Sequence, residues 1–261
     1  MIHRPTVADL RALKGNRQIL TMSVTTAAEA SAAAEAGIKM CTAVFDDSFA
    51  ALRSAAPGVF IQASHPQGAI HDESSGIRLG FQSMEAGVDA VYFAGSLRIL
   101  EAMAREGIPV TGHVGLVPRW ATWTNYRAVG KTPEEAAAIW NKVKAYESAG
   151  AWAVEMEVVP VAIAEWITRS TFLITEGMGC GAACDTQYLF ACDVLGTGQS
   201  RLPRHAKQYA DLAAEETRLQ RLRVEAFKAF ASEVRAGQYP ERRHEVHVTD
   251  DVLEQAKVLV S

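Results

Sequence analysis

Glu155 and Glu157 stand two residues apart in Ala151-Trp152-Ala153-Val154-Glu155-Met156-Glu157, a short apolar run that ends in carboxylates. On a strand, residues i and i+2 share a face, so both carboxylates point one way while Val154 and Met156 point the other. Two like charges partly withdrawn from water raise the proton affinity of at least one, which suits a general base or acid. An interior ion pair is the ordinary alternative for a buried glutamate. A second apolar run, Ile108 to Thr111, leads into Gly112-His113-Val114-Gly115, where the glycines would let a ligand approach the backbone beside the imidazole. Asp47 and Ser48 follow the run Met40 to Phe45. They either cap a helix or present a carboxylate and a hydroxyl to a small polar substrate or a divalent cation. Gly177-Met178-Gly179-Cys180-Gly181 could turn backbone N–H groups toward an anion, although there is no P-loop lysine and the dinucleotide fingerprint is incomplete. The spacing of Cys180, Cys184 and Cys192 matches no zinc pattern.

These residues need strands that end at a common place. Ala36-Gly37, Ala86-Gly87, Glu106-Gly107 and Ala149-Gly150 each close a helix-forming segment and precede a short apolar run, and glycine suits the left-handed residue that follows a helix. The helix before Gly150 starts with Thr132, Pro133 and Glu135, the pattern of a reciprocal cap with proline at the first helical position. Strands are expected at Gln18 to Val24, Ile38 to Phe45, Val59 to Ala63, Val88 to Phe93, Ile108 to Thr111, Ala151 to Met156 and Phe172 to Thr175, with an eighth at Tyr188 to Ala191. Strand and helix in alternation imply a parallel sheet, and eight strands in 261 residues imply a (β/α)8 TIM barrel. Its chemistry then belongs at the C-terminal ends of the strands. The loop Pro118 to Arg127, with Trp120, Trp123 and Tyr126, is either an aromatic lid or a surface loop packed on the rim. From Leu202 onward the pattern is helical only, with helices expected at Pro203 to Leu212 and Glu216 to Ala236. The chain is therefore expected to be a single domain, 1–261, with 202–261 a helical C-terminal extension.

A net charge of −4 and the lack of a basic tract give no electrostatic reason to expect nucleic acid or an anionic membrane as partner. No apolar stretch reaches the ~18 residues of a membrane span, and no signal-peptide core precedes the first helix, so a cytoplasmic location is expected. Four cysteines are too few to describe a disulfide framework.

Several longer motifs resemble the ketopantoate hydroxymethyltransferase family: Gly107-Ile108-Pro109-Val110-Thr111-Gly112-His113-Val114-Gly115-Leu116-Val117-Pro118, Tyr126-Arg127-Ala128-Val129-Gly130-Lys131, and Glu147-Ser148-Ala149-Gly150-Ala151 running into Glu157-Val158-Val159-Pro160. Gly177 to Gly181, Asp193-Val194-Leu195-Gly196 and Glu233-Val234-Arg235-Ala236-Gly237-Gln238-Tyr239-Pro240 continue it, so the match is specific from residue 107 to about 245 and weak before. The resemblance implies a βα barrel in which a 2-oxo acid rests on Mg2+, loses a proton from the carbon next to the keto group, and attacks the methylene carbon of methylenetetrahydrofolate. It also implies a ring-like homo-oligomer. Carried over, Glu157 falls on the base or proton shuttle, His113 on the histidine after the fifth strand, and Asp47 and Ser48 on the groups that meet metal and substrate. The first half departs from the pattern. Ser64 stands where a second metal-binding aspartate is expected, and Tyr92-Phe93-Ala94 where a lysine and a glutamate are expected, so magnesium should bind weakly or not at all. Glu155 and Glu176, acidic where the family is apolar, would rebuild a cation site or receive a positively charged substrate. Two other outcomes compete: a carbon–carbon lyase resembling the phosphoenolpyruvate mutase and isocitrate lyase group, and a catalytically silent paralogue serving as a scaffold.

Overall fold

A computed structural model describes residues 3–198 and 201–260. Eight parallel strands, β1 Ile19–Ser23, β2 Met40–Val44, β3 Phe60–Ser64, β4 Ala90–Tyr92, β5 Val110–Gly115, β6 Ala153–Glu157, β7 Ile174–Met178 and β8 Thr186–Phe190, pair in sequence order and close β8 onto β1. The helices are α1 Val7–Ala12, α2 Ala27–Glu35, α3 Phe49–Ala55, α4 Glu73–Glu85, α5 Leu97–Arg105, α6 Pro133–Ser148, α7 Val161–Ser170 and α8 Ala191–Leu195. Thr6, Thr26 and Asp72 start α1, α2 and α4 with reciprocal caps, and Gly37, Gly87, Gly107 and Gly150 follow α2, α4, α5 and α6 in the left-handed region.

Alternation along the strands sorts the core. Val91, Val110, Val114, Val154 and Met156 pack outward against α4 to α7, whereas Ile19, Met40, Phe60, Ala90, Ala153 and Ile174 form an apolar plug low in the barrel. Above the plug the inward positions turn polar, with Thr42, Gln62, Thr111, Glu155 and Glu176 all buried. That layer supports the site.

The chain resolves into two compact units, to Ala210 and from Asp211 onward. The second consists of α9 Leu212–Arg235, a short 3-10 turn and α10 Asp250–Leu259. Pro203 to Leu212 is not the helix that the sequence led us to expect: α9 starts at Leu212, where the Asp211 carboxylate accepts from the Ala214 N–H and so fixes the helix start. Among the described residues no helix is long and apolar enough to cross a membrane.

Candidate active site

Register brings the titratable groups together. His113 on β5 lies opposite Glu155 on β6, and Glu155 lies opposite Glu176 on β7, so the three occupy one inward layer, with Glu157 one layer nearer the mouth. The His113 Nε2 lies 3.3 Å from a Glu157 oxygen and 3.8 Å from a Glu155 oxygen, and the Tyr92 hydroxyl is hydrogen-bonded to Nδ1. Two carboxylates facing Nε2 favour the tautomer that carries its proton there, with Tyr92 donating to Nδ1. Burial, followed by the Glu155 charge, holds the Tyr92 phenol well above its ordinary range, so it stays protonated as that tautomer requires.

The environments of the glutamates differ. Burial raises Glu155, the Glu157 charge adds to this, and His113 opposes it. Burial, with the Glu155 charge second, pushes Glu176 up to about 8, against a lowering hydrogen bond from Gln62. Gln62 ties this floor together: its Nε2 donates to Glu176 at 2.6 Å and to Thr42 at 3.1 Å, while its oxygen accepts from Thr111 at 2.7 Å. Glu157 is the carboxylate in reach of a ligand, with 16% of its side chain exposed against 4% for Glu155.

The backbone around Glu157 is held from both sides. Its carbonyl accepts from the Leu116 N–H at 2.8 Å, Val158 donates to Met178 at 2.8 Å, and Val159 donates to the Cys180 Sγ at 3.3 Å. Val158 adopts φ +52°, a conformation that a β-branched residue enters only at a cost of ~1–3 kcal/mol. Gly115 makes this clamp possible: at φ +89°, any Cβ there would sit 2.2 Å from the Glu157 carbonyl oxygen. The glycines around His113 thus make room for protein rather than ligand, since a Cβ at Gly112 would lie 2.7 Å from the Tyr146 ring.

A cavity of about 200 Å³ opens onto these groups, lined by Thr42, Ser64, Tyr92, His113, Glu155, Glu157 and Tyr188 among others. Sequence reasoning missed Tyr188, Thr42, Thr111 and Gln62. Their signal was available in the alternation of polar with apolar residues along short strands, as in Phe60-Ile61-Gln62-Ala63-Ser64.

Other expectations need correction. β5 runs through Gly115 and β7 through Met178, so His113 and Gly177 lie within strands rather than after them. Gly177 is required because a Cβ would meet Cys184 at 2.7 Å, not because an anion must approach. Asp47, expected to bind metal and substrate, is exposed and does not line the cavity. The turn after β2 is instead closed by Asp46, whose carboxylate accepts from the Ser48 N–H and hydroxyl, so Ser48 does not cap α3 with its side chain. At α6 only half of the expected reciprocal cap forms. The Thr132 hydroxyl accepts from the Glu135 N–H, but the Glu135 carboxylate accepts from the Gly130 and Lys131 N–H groups and from Arg127. Trp120, Trp123 and Tyr126 are exposed, around a 3-10 helix at Pro118–Thr124.

Among the described residues, His113, Glu155 and Glu157 form the one group of three whose donor atoms, all within 4.8 Å of one another, could hold a metal ion. An imidazole nitrogen with two carboxylates suits zinc, manganese or iron better than magnesium, which takes oxygen donors in near-octahedral array. With Asp47 turned out of the cavity, these residues do not fit the magnesium arrangement that the resemblance implied, and no chemical step below runs through a metal.

The family model for ketopantoate hydroxymethyltransferase matches residues 47–242. The chain belongs to this family. The 3-methyl-2-oxobutanoate hydroxymethyltransferase of Streptomyces coelicolor is 37% identical over 187 residues, which cover 70% of this chain and 61% of that relative. The Deinococcus radiodurans protein of the same name is 34% identical over 211 residues, covering 78% of this chain and 72% of the relative. This family member spans about three fifths of the length of the Streptomyces relative. Two solved structures share the fold at low identity: an oxaloacetate acetylhydrolase (TM-score 0.58, 12% identical, 90% of this chain and 98% of that one) and 2,3-dimethylmalate lyase, a PEP mutase/isocitrate lyase superfamily member (TM-score 0.53, 11% identical, 100% of each).

Proposed function

We propose that this family member deprotonates a small 2-oxo acid next to its keto group and transfers a one-carbon unit, carried as a methylene by a tetrahydrofolate, onto the resulting carbanion. The observation that supports this most directly is the reachable Glu157 carboxylate, clamped in its backbone and 3.3 Å from the Nε2 of buried His113, at the edge of a cavity of about 200 Å³. That volume lies below the ~300–1,000 Å³ of sites for drug-sized ligands and suits one small acid. Glu157 takes the proton while the bond electrons move toward the keto oxygen, and His113, oriented by Tyr92, holds the glutamate in place before and after the transfer. Water's oxygen bonds to the methylene carbon as both of its carbon–nitrogen bonds break, the two folate nitrogens taking water's protons and a formaldehyde unit being released; the carbanion carbon then adds to that carbonyl carbon, and its oxygen takes the proton held by Glu157 to become the hydroxyl of the product. The same proton and carbanion chemistry run in reverse would cleave a carbon–carbon bond.

Proton exchange tests this without the second substrate. NMR in deuterated water should show wild type exchanging the proton next to the keto group of 3-methyl-2-oxobutanoate or a close analogue. Glu157→Gln, which keeps size but cannot accept the proton, should be slower by ~10²- to 10⁴-fold with substrate binding retained. Equal exchange by the two proteins would remove Glu157 from the mechanism, and no exchange by wild type on any 2-oxo acid would favour the non-catalytic scaffold.

We also propose that the protein self-associates. Within the second unit, α9 leaves Leu222, Phe227 and Phe230 exposed, apolar area that an isolated helix gains nothing by presenting to water. A monomer by light scattering at micromolar concentration would reject this.

A further inference from the structure

The catalytic cavity is lined by two carboxylates, Glu155 and Glu157, and by no lysine or arginine. Glu176 adds a third carboxylate opposite Glu155, with its Oε1 buried and without a hydrogen-bond partner. Among the described residues the only ion-pair partner of Glu155 and Glu157 is His113, whose imidazole is buried. Buried carboxylates gathered without a permanent counter-charge are costly, and in folded proteins such groups are paired or coordinate a metal. His113 shows the same deficit from its own side. Its Nε2 is buried and makes no hydrogen bond, although it lies 3.3 Å from Glu157 and 3.8 Å from Glu155. Donor atoms around a tetrahedral ion with bonds of ~2.0–2.2 Å stand ~3.3–3.6 Å apart, so these separations suit an ion among three groups better than a proton between two. The other ring nitrogen, Nδ1, is held by the Tyr92 hydroxyl, which can accept as well as donate. A metal-ligating imidazole is ordinarily fixed through its second nitrogen in this way.

We infer that His113, Glu155 and Glu157 form a binding site for a divalent transition cation of the zinc, manganese or iron class, with the remaining coordination positions open to the cavity. The ion takes the place of the proton on Nε2, and Nδ1–H then donates to Tyr92. Pairing of His113 with Glu155 across β5 and β6 fixes two of the ligands before the ion arrives, and this set shares no residue with the exposed Asp47 turn. The inference concerns binding and does not rest on the transfer reaction. The ion and the substrate's proton compete for Glu157, so proton exchange is measured on metal-free protein and cation binding needs no substrate.

Calorimetric titration of the metal-stripped full chain with zinc, manganese(II) and magnesium supplies the test. Zinc or manganese should bind at one ion per chain, and magnesium, which prefers oxygen donors and sheds water reluctantly, should bind at least about 100-fold more weakly. Glu155→Gln should weaken the preferred cation by about 100-fold or more, beyond the ~10- to 100-fold expected from losing only an outer partner such as the Tyr92 hydroxyl in Tyr92→Phe. If Glu155→Gln fails to fold, Glu157→Gln, at the more exposed of the two positions, gives the same reading. His244→Ala/His247→Ala, which removes exposed histidines from the second unit, should change binding by no more than about twofold. No binding of either transition cation, magnesium binding as tightly as they do, or a loss in the control equal to that in Glu155→Gln would overturn the assignment. Failure of 2-oxo acid exchange alone would instead sink the transfer reaction and leave the cation titration intact.

Discussion

Across β4 to β7 the top of the barrel brings Tyr92, His113, Glu155, Glu157 and Glu176 together on its inward face, whereas β2 and β3 bring Thr42 and Ser64 to the cavity and leave Asp47 exposed beyond it. The first side is over-determined, since each group there is buried, paired or clamped by a neighbour on the next strand. On the second side Thr42 and Gln62 are tied across strands, but the acidic groups lie past the strand end and make local contacts, such as Asp46 with Ser48. Chemistry needs the first arrangement because a proton acceptor must be held within hydrogen-bond reach of its target, and only cross-strand contacts fix a side chain that well.

After the loss expected for Glu157→Gln, the largest effect should come from Gly115→Ala. The new methyl must displace the Glu157 carbonyl and adopt φ +89°, which should cost about 3 kcal/mol and lower the melting temperature by about 6–12 °C. A melting temperature within 2 °C of wild type would mean that the clamp yields easily, and the contrast between the two sides would weaken.

Tyr92→Phe should slow proton exchange about tenfold, because the buried His113 loses its Nδ1 partner and with it the tautomer that faces the carboxylates. An unchanged rate would assign the imidazole orientation to packing alone.

The pH dependence of stability probes the floor of the same side. Glu176 binds its proton more tightly folded than unfolded, so its contribution is fully present below about 4.5 and is lost as pH rises through about 8. Melting temperature should therefore fall between pH 5 and 8, and Glu176→Gln, neutral throughout, should flatten that slope. A slope identical in the variant would place the titration elsewhere.

The smallest effect is expected on the opposite side of the mouth. Asp47→Asn should change exchange by less than about twofold, measured beside Glu157→Gln under one set of conditions. A loss above tenfold would show that the exposed turn folds over the bound acid, and would restore Asp47 as a substrate or metal ligand.

Much of this molecule could be read from the chain. Alternating strand and helix, glycine after several of the helices, and carboxylates two apart on one strand follow from local rules of backbone conformation and side-chain direction, so the closed barrel and the inward glutamates were legible, whereas the eighth strand runs Thr186–Phe190 rather than the expected Tyr188 to Ala191, with Ala191 already opening α8. What needed the tertiary structure was register and competition between neighbours. Which residue faces which across β5, β6 and β7 depends on pairing between segments 21 to 42 residues apart, and one residue of slip would have turned Glu155 and Glu157 toward the helices. Likewise, Gly112, Gly115 and Gly177 looked open to a ligand because a sequence does not show what fills the space beside a glycine; Tyr146, the Glu157 carbonyl and Cys184 fill it. Asp46 rather than Asp47 engages Ser48 for the same reason: equivalent carboxylates in one turn are separated only by the geometry in which the turn closes.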